Sequence, residues 1–337
     1  MNNSKIKLLR ILQILQDTDI DHPINTTGII AKLKKSYDID AERKSVMRDI
    51  STLMSFTEYD IVKCCNSNDG WYMITRDFED HELKLFADFI ASAKYLSEKD
   101  SSDILEKIIN HASPSGRELI QSSLISDKGQ KLRGAHFLEY FSIIIQAIME
   151  NKKIKFKYFE ITKGNKLVHK RDGYEYVVSP YYTVLYDNEY FLIANTDGHN
   201  NASHYRIELM DELGIVNDSE TKRRPITEIE GLCKDGETVP IEKYLRSSVN
   251  LWTGDLINVK LRCRNSCRLI IIKHFGDSWI CENNDDTFNI SVDVTDNEGF
   301  YKLIAQLGTD VQILSPDSAR EHFKEYLRSI LEQYDNQ

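Results

Sequence analysis

The side chains most suited to binding a ligand lie between positions 151 and 210, where cationic and tyrosine residues are interleaved. Residues 151–171 carry eight lysines and arginines against one glutamate. A guanidinium or ammonium group binds phosphate, and a tyrosine ring gives a nucleobase a surface on which to stack. The pattern therefore favours a site for a nucleotide or a short single-stranded nucleic acid. Its candidate cations are Lys155, Lys157, Lys170 and Arg171, and its candidate rings are Tyr158, Tyr181, Tyr182 and Tyr205.

Two arginines, Arg171 and Arg206, are the strongest candidates for holding an anion. Arg206 belongs to a strand that should be half-buried, and an arginine buried in a small domain needs an anionic partner. An effector can be that partner, and so can Glu208, which follows closely in the chain. The alternative for any single tyrosine is a place in the core or at its rim. The predicted effector site consists of Tyr158, Lys170, Arg171, Tyr181, His204, Tyr205 and Arg206.

The sequence contains no recognisable arrangement of catalytic or metal-binding residues. It has no phosphate-cradling glycine loop, no HExxH or GxSxG motif, and no CxxC spacing among its six cysteines. His199 and His204 flank a predicted loop without a third ligand nearby, so we expect no metal site. Nothing assembles a nucleophile, a base and an orienting acid. We therefore predict a protein that is not an enzyme and needs no cofactor.

The stretch Lys170–Met210 is predicted to form three or four short strands in a row. Side chains from Tyr174 to Val178 alternate with the period of two that a pleated strand imposes. Pro180 should end this strand, because proline has no N–H for the ladder. Asp187-Asn188 predicts a tight turn, and Gly198–Asn201 predicts a second hairpin loop. The result would be a small, strongly bent β-domain that brings the cations and rings together.

This stretch resembles the WYL domain of bacterial ligand-responsive transcription regulators. The resemblance lies in Ser179-Pro180-Tyr181, in Tyr190-Phe191-Leu192 at the position of the Trp-Tyr-Leu that names the family, and in His204-Tyr205-Arg206. Two of the name-giving residues differ, and Phe191 has no hydroxyl to offer a ligand. Leu209 stands where the family usually has a second arginine or lysine. The resemblance implies an Sm-like small barrel that binds an effector, whereas periodicity alone predicts only a small antiparallel β-domain.

The N-terminal residues 1–76 have the pattern of three helices followed by a hairpin. An amphipathic helix opens the chain, and Thr26 or Thr27 is predicted to cap a second helix. Asp40 is predicted to cap a third helix, and two short strands then flank Asn66–Gly70, which has the composition of a turn. This order is typical of a helix-turn-helix that is followed by a wing.

The third predicted helix carries the cations that would contact DNA. Its segment Ser45–Ile50 is similar to the Thr-x-x-Arg-Asp-Leu signature in the DNA-reading helix of such regulators, and the Ser45 hydroxyl can still bond a phosphate. A solvated basic helix face is the alternative, and it would be preferred for an isolated helix. A capped helix before it, a wing after it and a WYL-like domain behind it favour DNA contact. The predicted DNA contacts are Thr26, Thr27, Arg43, Lys44, Ser45 and Arg48.

The rest of the chain divides into a helical connector and a C-terminal domain. Residues 226–337 are predicted to alternate strands and helices in the order β-α-β-α-β. That order, Trp252, the Gln306-Leu307-Gly308 turn and Ser315-Pro316 resemble the C-terminal extension that often follows WYL domains. We thus predict an α+β multidomain chain. Its parts are a winged helix-turn-helix over 1–76, a helical connector over 77–135, the WYL domain over 136–225 and a small α+β extension over 226–337.

Length, composition and charge narrow the class of protein. The 337 residues allow two to three ordinary cores. No apolar run approaches the ~18 residues of a membrane span, no signal-peptide core opens the chain, and the cysteine spacing favours reduced thiols and hence the cytosol. The net charge of −10 argues against general nucleic-acid binding, but the charge is uneven. Residues 226–337 carry twelve lysines and arginines against nineteen acids, so this part is not expected on DNA.

Together these observations predict a cytosolic bacterial transcription regulator. Its winged helix would bind double-stranded operator DNA as a homodimer, its barrel would bind an anionic nucleotide or oligonucleotide, and the connector would couple the two. The alternative is an accessory protein that holds single-stranded nucleic acid without a specific operator. A third class is an enzyme that acts on a nucleotide. A fixed footprint on one DNA sequence distinguishes the first two, and nucleotide turnover would establish the third.

Overall fold

The chain folds into two compact units, Met1–Leu138 and Glu139–Gln337. The Asn66–Asp69 part of the predicted turn and Trp252 lie outside the described residues. Among the helices that are described, none combines the length and the hydropathy that a membrane span requires. The computed structural model describes residues 3–64, 70–125, 136–162, 166–217, 221–234, 236–247, 255–276, 280–283 and 286–335.

The first unit opens with three helices and a two-stranded antiparallel hairpin, in the order that was predicted. The helices are α1 (Asn3–Gln16), α2 (Thr26–Tyr37) and α3 (Arg43–Met54), and the hairpin pairs β1 (Ile61–Lys63) with β2 (Trp71–Met73). Helical spacing places the apolar side chains of α3 on one face, so the rest of that helix is left to solvent. The shared core includes Ile11, Leu15, Ile29, Leu33, Val46, Ile50, Leu53 and Trp71.

The N-terminus of α2 is capped by a residue other than the two predicted. The side-chain oxygen of Asn25 accepts a hydrogen bond from the Gly28 N–H at 2.8 Å. Thr26 is buried, and its hydroxyl donates to the sulfur of Met47 at 3.6 Å. Thr27 is exposed on the first turn. The prediction of a threonine cap was therefore wrong, because asparagine caps at least as well as threonine and Thr26 packs between α2 and α3.

The start of α3 also differs from the prediction. Asp40 does not cap this helix, because its carboxylate forms an ion pair with the Lys34 Nζ at 2.9 Å. The helix begins at Arg43, and Glu42 occupies the cap position without a side-chain hydrogen bond. Asp40 thus lies two residues before the cap position, and its carboxylate contacts a cation on α2 instead.

We expect Asn25→Ala to lower the free energy of unfolding by about 1 kcal/mol, because an N–H in the first turn of α2 loses its partner. Thr27 is exposed two residues further along, so Thr27→Ala should change the free energy of unfolding by less than about 0.5 kcal/mol. Urea denaturation followed by circular dichroism measures both values. Equal losses in the two variants would contradict the assignment of the cap to Asn25.

Three further helices complete the first unit, within the segment predicted to be helical. They are α4 (Asp80–Ser92), α5 (Glu98–His111) and α6 (Pro114–Ser123). The carboxylate of Asp80 accepts hydrogen bonds from the N–H of Ser113 at 2.9 Å and from its hydroxyl at 2.6 Å. These bonds fix the start of α6 against α4. The buried residues of this small core are Leu83, Ala87, Ala112 and Ile120.

The second unit contains a six-stranded antiparallel sheet that follows helix α7 (Phe137–Met149). The strand order is β4-β3-β5-β6-β7, and β8 also pairs with β3. Because β3 pairs with three different strands, the sheet curls into a half-barrel. Its strands are β3 (Ile154–Ile161), β4 (Leu167–His169), β5 (Tyr176–Tyr186), β6 (Glu189–Thr196), β7 (Ser203–Arg206) and β8 (Met210–Ile215).

Pro180 does not end its strand, contrary to the prediction. β5 continues through Pro180, and the register of its pairing with β6 shifts between Pro180 and Tyr182. A proline is tolerated at such an irregularity, where the ladder is already interrupted. The predicted tight turn is confirmed, because Asp187 and Asn188 connect β5 to β6 with φ angles of 48° and 61°. Both residue types tolerate this left-handed conformation.

The segment 221–247 covers one face of the half-barrel. It contains a short hairpin of β9 (Cys233–Lys234) and β10 (Glu237–Thr238), followed by helix α8 (Ile241–Ser247). Apolar side chains of this segment pack on the sheet and bury the residues beneath them. The resulting cluster consists of Tyr181, Ile193, Ala202, Ile229, Leu232 and Tyr244.

The C-terminal part is a four-stranded antiparallel sheet with the strand order β12-β13-β11-β14. The prediction missed β12, a short edge strand that pairs only with β13 and has an irregular register. Its core includes Val259, Leu261, Phe288, Phe300 and Ile304. The elements are β11 (Asp255–Arg264), α9 (Arg268–Phe275), β12 (Ile280–Asn283), β13 (Thr287–Asp296), α10 (Glu298–Leu307), β14 (Val311–Ser315) and α11 (Asp317–Asp335).

Candidate functional site

The exposed face of α3 carries three cations, Arg43, Lys44 and Arg48. Within the part of the chain that the structure describes, these three side chains form no ion pair with a carboxylate. Their positive charge is therefore not compensated locally. Five other cations of the first unit are paired, namely Lys7 with Asp49, Lys32 with Asp17, Lys34 with Asp40, Lys84 with Asp88 and Arg117 with Asp17.

The remaining predicted DNA contacts divide between the surface and the interior. Thr27 is exposed near the start of α2, whereas Thr26 is buried between α2 and α3. Ser45 is half-buried, and its hydroxyl accepts a hydrogen bond from the Lys7 Nζ. Lys7 also pairs with Asp49 at 3.0 Å, so Ser45 belongs to the contact between α1 and α3. The surface-exposed members of the predicted set are Thr27, Arg43, Lys44 and Arg48.

Four aromatic rings form a cluster on one face of the half-barrel, which we call the ring cluster: Phe156, Tyr158, Tyr176 and Tyr205. The ring centroids of Phe156 and Tyr205 are 5.2 Å apart, and those of Tyr158 and Tyr205 are 5.7 Å apart. The Tyr158 hydroxyl accepts a hydrogen bond from the Arg206 N–H at 3.0 Å. Burial raises the pKa of Tyr158 far above its usual value, so this hydroxyl stays neutral. The ring cluster is largely core.

A left-handed turn forms the edge of the ring cluster. Arg171, Asp172 and Gly173 have φ angles of 53°, 55° and 82°. Glycine adopts this region without cost and aspartate tolerates it, so the cost of roughly 1–2 kcal/mol falls mainly on Arg171. The turn holds the Arg171 guanidinium 6.0 Å from the centre of the Tyr176 ring. Strained backbone of this kind concentrates at ligand-binding positions.

Arg206 is engaged by two carboxylates. Its Nη2 lies 2.5 Å from Glu189 Oε1 and 2.7 Å from Glu208 Oε1, and its Nε donates to Glu208 at 2.8 Å. The Glu208 side chain is only 1% exposed, so Arg206 neutralises a buried charge. Lys170 and Arg171, in contrast, are exposed and form no ion pair with the described residues. Among the cations of the predicted effector site, Lys170 and Arg171 are thus the two that an anionic ligand can reach without competition from a described carboxylate.

Tyr181 and His204 lie on the face of the sheet opposite the ring cluster. His204 precedes Tyr205 on β7, and successive strand residues point to opposite faces. The His204 Nε2 is 2.8 Å from the Tyr244 hydroxyl, and the Tyr181 hydroxyl donates to the Arg224 carbonyl at 2.9 Å. Burial raises the pKa of Tyr181 to about 12. Both residues therefore contact the segment 221–247 and not the ring cluster.

Two members of the ring cluster, Phe156 and Tyr176, were not predicted as site residues. They are directly opposite each other where β3 pairs with β5, and their rings stack with centroids 5.6 Å apart. The signal in the sequence was the period of two that puts Phe156 on the same face as Tyr158. The cross-strand partner depends on register, which the sequence pattern did not fix.

Two parts of the second unit match protein-family descriptions. Residues 139–215 match the WYL domain, and residues 255–331 match the WCX domain. The chain contains a WYL domain followed by a WCX domain. The resemblance drawn from Ser179–Tyr181, Tyr190–Leu192 and His204–Arg206 is thus confirmed. The half-barrel sheet and its ring cluster belong to the WYL domain, and the four-stranded sheet is the WCX domain. The segment 221–247 lies between the two matches.

Two solved structures are similar to the whole chain. Proteasome accessory factor B/C (PafBC) of Arthrobacter aurescens is 19% identical with a TM-score of 0.27; the match covers 98% of this chain and 49% of that one. This chain thus spans about half the length of that protein. A structure described as a CRISPR Cas-related protein is 14% identical with a TM-score of 0.35, and the match covers 98% of this chain and 84% of the other. A search of curated proteins found no match.

Proposed function

We propose that this chain is a DNA-binding transcription regulator that responds to an anionic effector. The observation that carries the proposal is the exposed face of α3, where Arg43, Lys44 and Arg48 have no carboxylate partner among the described residues. Such a face suits the phosphate backbone and the guanine edges of the major groove. Residues 1–76 are proposed to form a winged helix-turn-helix, with α3 as the recognition helix and the β1–β2 hairpin as the wing.

The other parts of the chain have separate roles in the proposal. Residues 77–135 are the helical connector, and residues 136–225 are the effector domain, for which the curled sheet supports an Sm-like barrel. Residues 226–337 are the C-terminal extension, whose excess of acidic residues keeps it off DNA. The protein is proposed to work in the bacterial cytosol, to catalyse no reaction and to need no cofactor.

The effector site is proposed at the exposed edge of the ring cluster. Lys170 and Arg171 would bind phosphate, and a base would stack on the exposed Arg171 guanidinium, which lies over the Tyr176 ring. Tyr158, Tyr205 and the ion-paired Arg206 would hold the floor of the site in place. Tyr181 and His204, which face the segment 221–247, are left out of it. A nucleotide or a short single-stranded nucleic acid combines the phosphate and the base that this edge would recognise.

The connector touches the DNA-binding segment through α6. The Arg117 Nη1 lies 2.6 Å from Asp17 Oδ1, and the Ser115 N–H donates to Asp19 Oδ2 at 2.8 Å. Burial alone would raise the pKa of Asp19, but hydrogen bonds from Ser115 and His22 outweigh it and hold the pKa at about 2. Asp19 is therefore ionised in the folded protein. This junction is a physical route by which the position of α6 can bias the loop between α1 and α2.

The proposal is tested by selecting binding sequences from a random duplex library with the full chain and footprinting the enriched duplex. A regulator should protect one fixed site. The accessory single-strand-binding alternative predicts that no duplex sequence is enriched and that single strands bind more tightly than duplex. Turnover of a nucleotide by the same preparation would establish the enzyme alternative.

We propose further that the chain binds its operator as a homodimer that is joined through α11. Helix-turn-helix proteins usually read paired half-sites about one helical turn apart, which requires a two-fold dimer. The C-terminal half of α11 exposes Leu327, Leu331 and Tyr334 at i, i+4 and i+7, so they form one apolar stripe.

Leu331→Asp should convert the dimer to a monomer, because it puts a charge in the middle of this stripe. The native side chain is 60% exposed, so the monomer should fold normally. Sedimentation velocity of the full chain measures the change. Leu269→Asp is the matched control, since Leu269 is 80% exposed on α9 and should leave the dimer intact. A Leu331→Asp protein that remains a dimer would remove α11 from the interface.

A further inference from the structure

Met47 occupies the middle of the exposed face of α3. Its side chain is 40% exposed although its neighbours on that face are charged or polar. Arg43 lies one turn before it and Ser51 one turn after it, so the three share one side of the helix. The Met47 sulfur accepts a hydrogen bond from the buried Thr26 hydroxyl at 3.6 Å. The side chain thus rests on α2 while part of it faces outward.

The hydroxyl groups of α3 are occupied within the chain. Ser51 donates to the Met47 carbonyl at 3.0 Å, and Thr52 donates to the Arg48 carbonyl at 3.0 Å. The Ser45 hydroxyl accepts from the Lys7 Nζ. Ser51 and Thr52 thus use their only hydroxyl proton on the helix backbone and keep only their acceptor lone pairs, whereas the contact with Lys7 does not use the Ser45 proton. The exposed face of α3 therefore combines three cations, hydroxyl groups that already form hydrogen bonds within the chain and, between the cations, one exposed apolar side chain, Met47.

We infer that Met47 is a specificity-determining residue that contacts the 5-methyl group of a thymine in the major groove. This inference rests on the proposed function, in which α3 is the recognition helix. The thymine methyl is the only apolar group on the major-groove edges of the bases, and Met47 is the only exposed apolar residue between the cations of α3. Methionine is unbranched and polarisable, so it adapts its shape to such a contact.

The neighbours of Met47 define the sequence context. Met47 and Arg48 are adjacent in α3, so they are separated by roughly 1.5 Å along the helix axis and their side chains project about 100° apart. Successive base pairs are about 3.4 Å apart. Arginine preferentially binds the O6 and N7 atoms of guanine. The operator should therefore have a guanine, read by Arg48, within about two base pairs of the thymine that Met47 contacts.

The test replaces each thymine of the selected duplex in turn by deoxyuridine, which removes only the methyl group. Fluorescence anisotropy then measures the affinity of the full chain for each duplex. For the native protein, affinity should fall about fourfold at one position, the value for one buried methyl group. Met47→Ala should bind the thymine duplex with about the same fourfold loss and should no longer respond to deoxyuridine at that position.

Two further variants separate the contact from general effects on α3. Met47→Leu keeps an apolar side chain and should keep the response to deoxyuridine. Met54→Ala removes the other exposed methionine of α3, which lies at the end of that helix, and should also keep the response to deoxyuridine. If replacing thymine by deoxyuridine lowers the affinity equally for the native protein and for Met47→Ala, the inference about Met47 is overturned, but the proposed function is not. Failure of the full chain to bind any duplex would overturn the proposed function as well.

Discussion

The triple variant Arg43→Ala/Lys44→Ala/Arg48→Ala should lose nearly all specific affinity for the operator. An arginine that reads a guanine contributes about 1–3 kcal/mol, and a cation on a phosphate contributes a further salt-dependent amount. Loss of all three should cost roughly 3–6 kcal/mol of binding free energy, a factor of about a hundred to ten thousand. Fold and stability should be unchanged, because these side chains are exposed and form no ion pair within the described residues.

The single variants should differ in kind. Arg48→Ala is expected to cost about 1–3 kcal/mol if it reads a base, and to relax the sequence preference at one position. Lys44→Ala and Arg43→Ala should mainly reduce the dependence of affinity on salt, by about one unit of slope for each phosphate that the side chain neutralises. Fluorescence anisotropy at several salt concentrations measures both effects.

A matched control for these variants is Lys84→Ala. Lys84 is a cation of the first unit, like the three residues of α3, but it lies on α4 and is paired there with Asp88. Its removal changes the net charge of the protein by the same amount as each single variant without touching α3. The control should bind the operator with nearly native affinity. A triple α3 variant that is folded by circular dichroism and still binds like the native protein would remove α3 from the DNA interface.

Arg206→Ala should destabilise the WYL domain by about 2–3 kcal/mol. The carboxylate of Glu208 is almost wholly buried and would lose the cation that neutralises it. The cost is lower than for a fully buried pair, because the Arg206 side chain is 30% exposed and water screens part of the interaction. Urea denaturation measures the loss. Arg206→Ala combined with Glu208→Gln should recover much of it, since no buried charge then remains.

Arg171→Ala should weaken ligand binding and leave the stability nearly unchanged. The free energy of unfolding should change by less than about 0.5 kcal/mol, because Arg171 is exposed and has no ion pair in the described part of the chain. Binding of a short single-stranded oligonucleotide, measured by calorimetry, should weaken about ten- to a hundredfold through loss of a charge-assisted hydrogen bond. The opposite result would be a stable Arg206→Ala protein that does not bind the oligonucleotide and an Arg171→Ala protein that binds it normally. That result would make Arg206 the ligand-binding residue and would remove Arg171 from the site.

The elements that the sequence predicted well are those determined by local patterns. Val46, Ile50 and Leu53 recur with helical spacing, so the buried face of α3 follows from periodicity alone. Asp187 and Asn188 tolerate left-handed φ angles, so the turn between β5 and β6 could be located. The specific motifs of the WYL domain lie on β5, β6 and β7, within local patterns of this kind, which is why the family could be recognised.

The features that could not be predicted depend on contacts between residues distant in the chain. Arg206 pairs with Glu189 on β6 as well as with nearby Glu208, and only the register of β6 against β7 brings Glu189 within reach. Because His204 and Tyr205 are successive residues of a strand, they had to face opposite sides of the sheet, but the sequence did not show what covers each side. The sequence pattern did not reveal that the segment 221–247 folds back over the His204 side, with Tyr244 as its partner.

Affinity of the full chain for its selected duplex, with and without a saturating short single-stranded oligonucleotide, tests the proposed regulator most directly. If the WYL domain binds the effector and the connector couples it to α3, the dissociation constant of the duplex should change about five- to 150-fold. Arg171→Ala should reduce this response at the same oligonucleotide concentration. An oligonucleotide that binds the protein without changing its affinity for the duplex would contradict the coupling between the two domains.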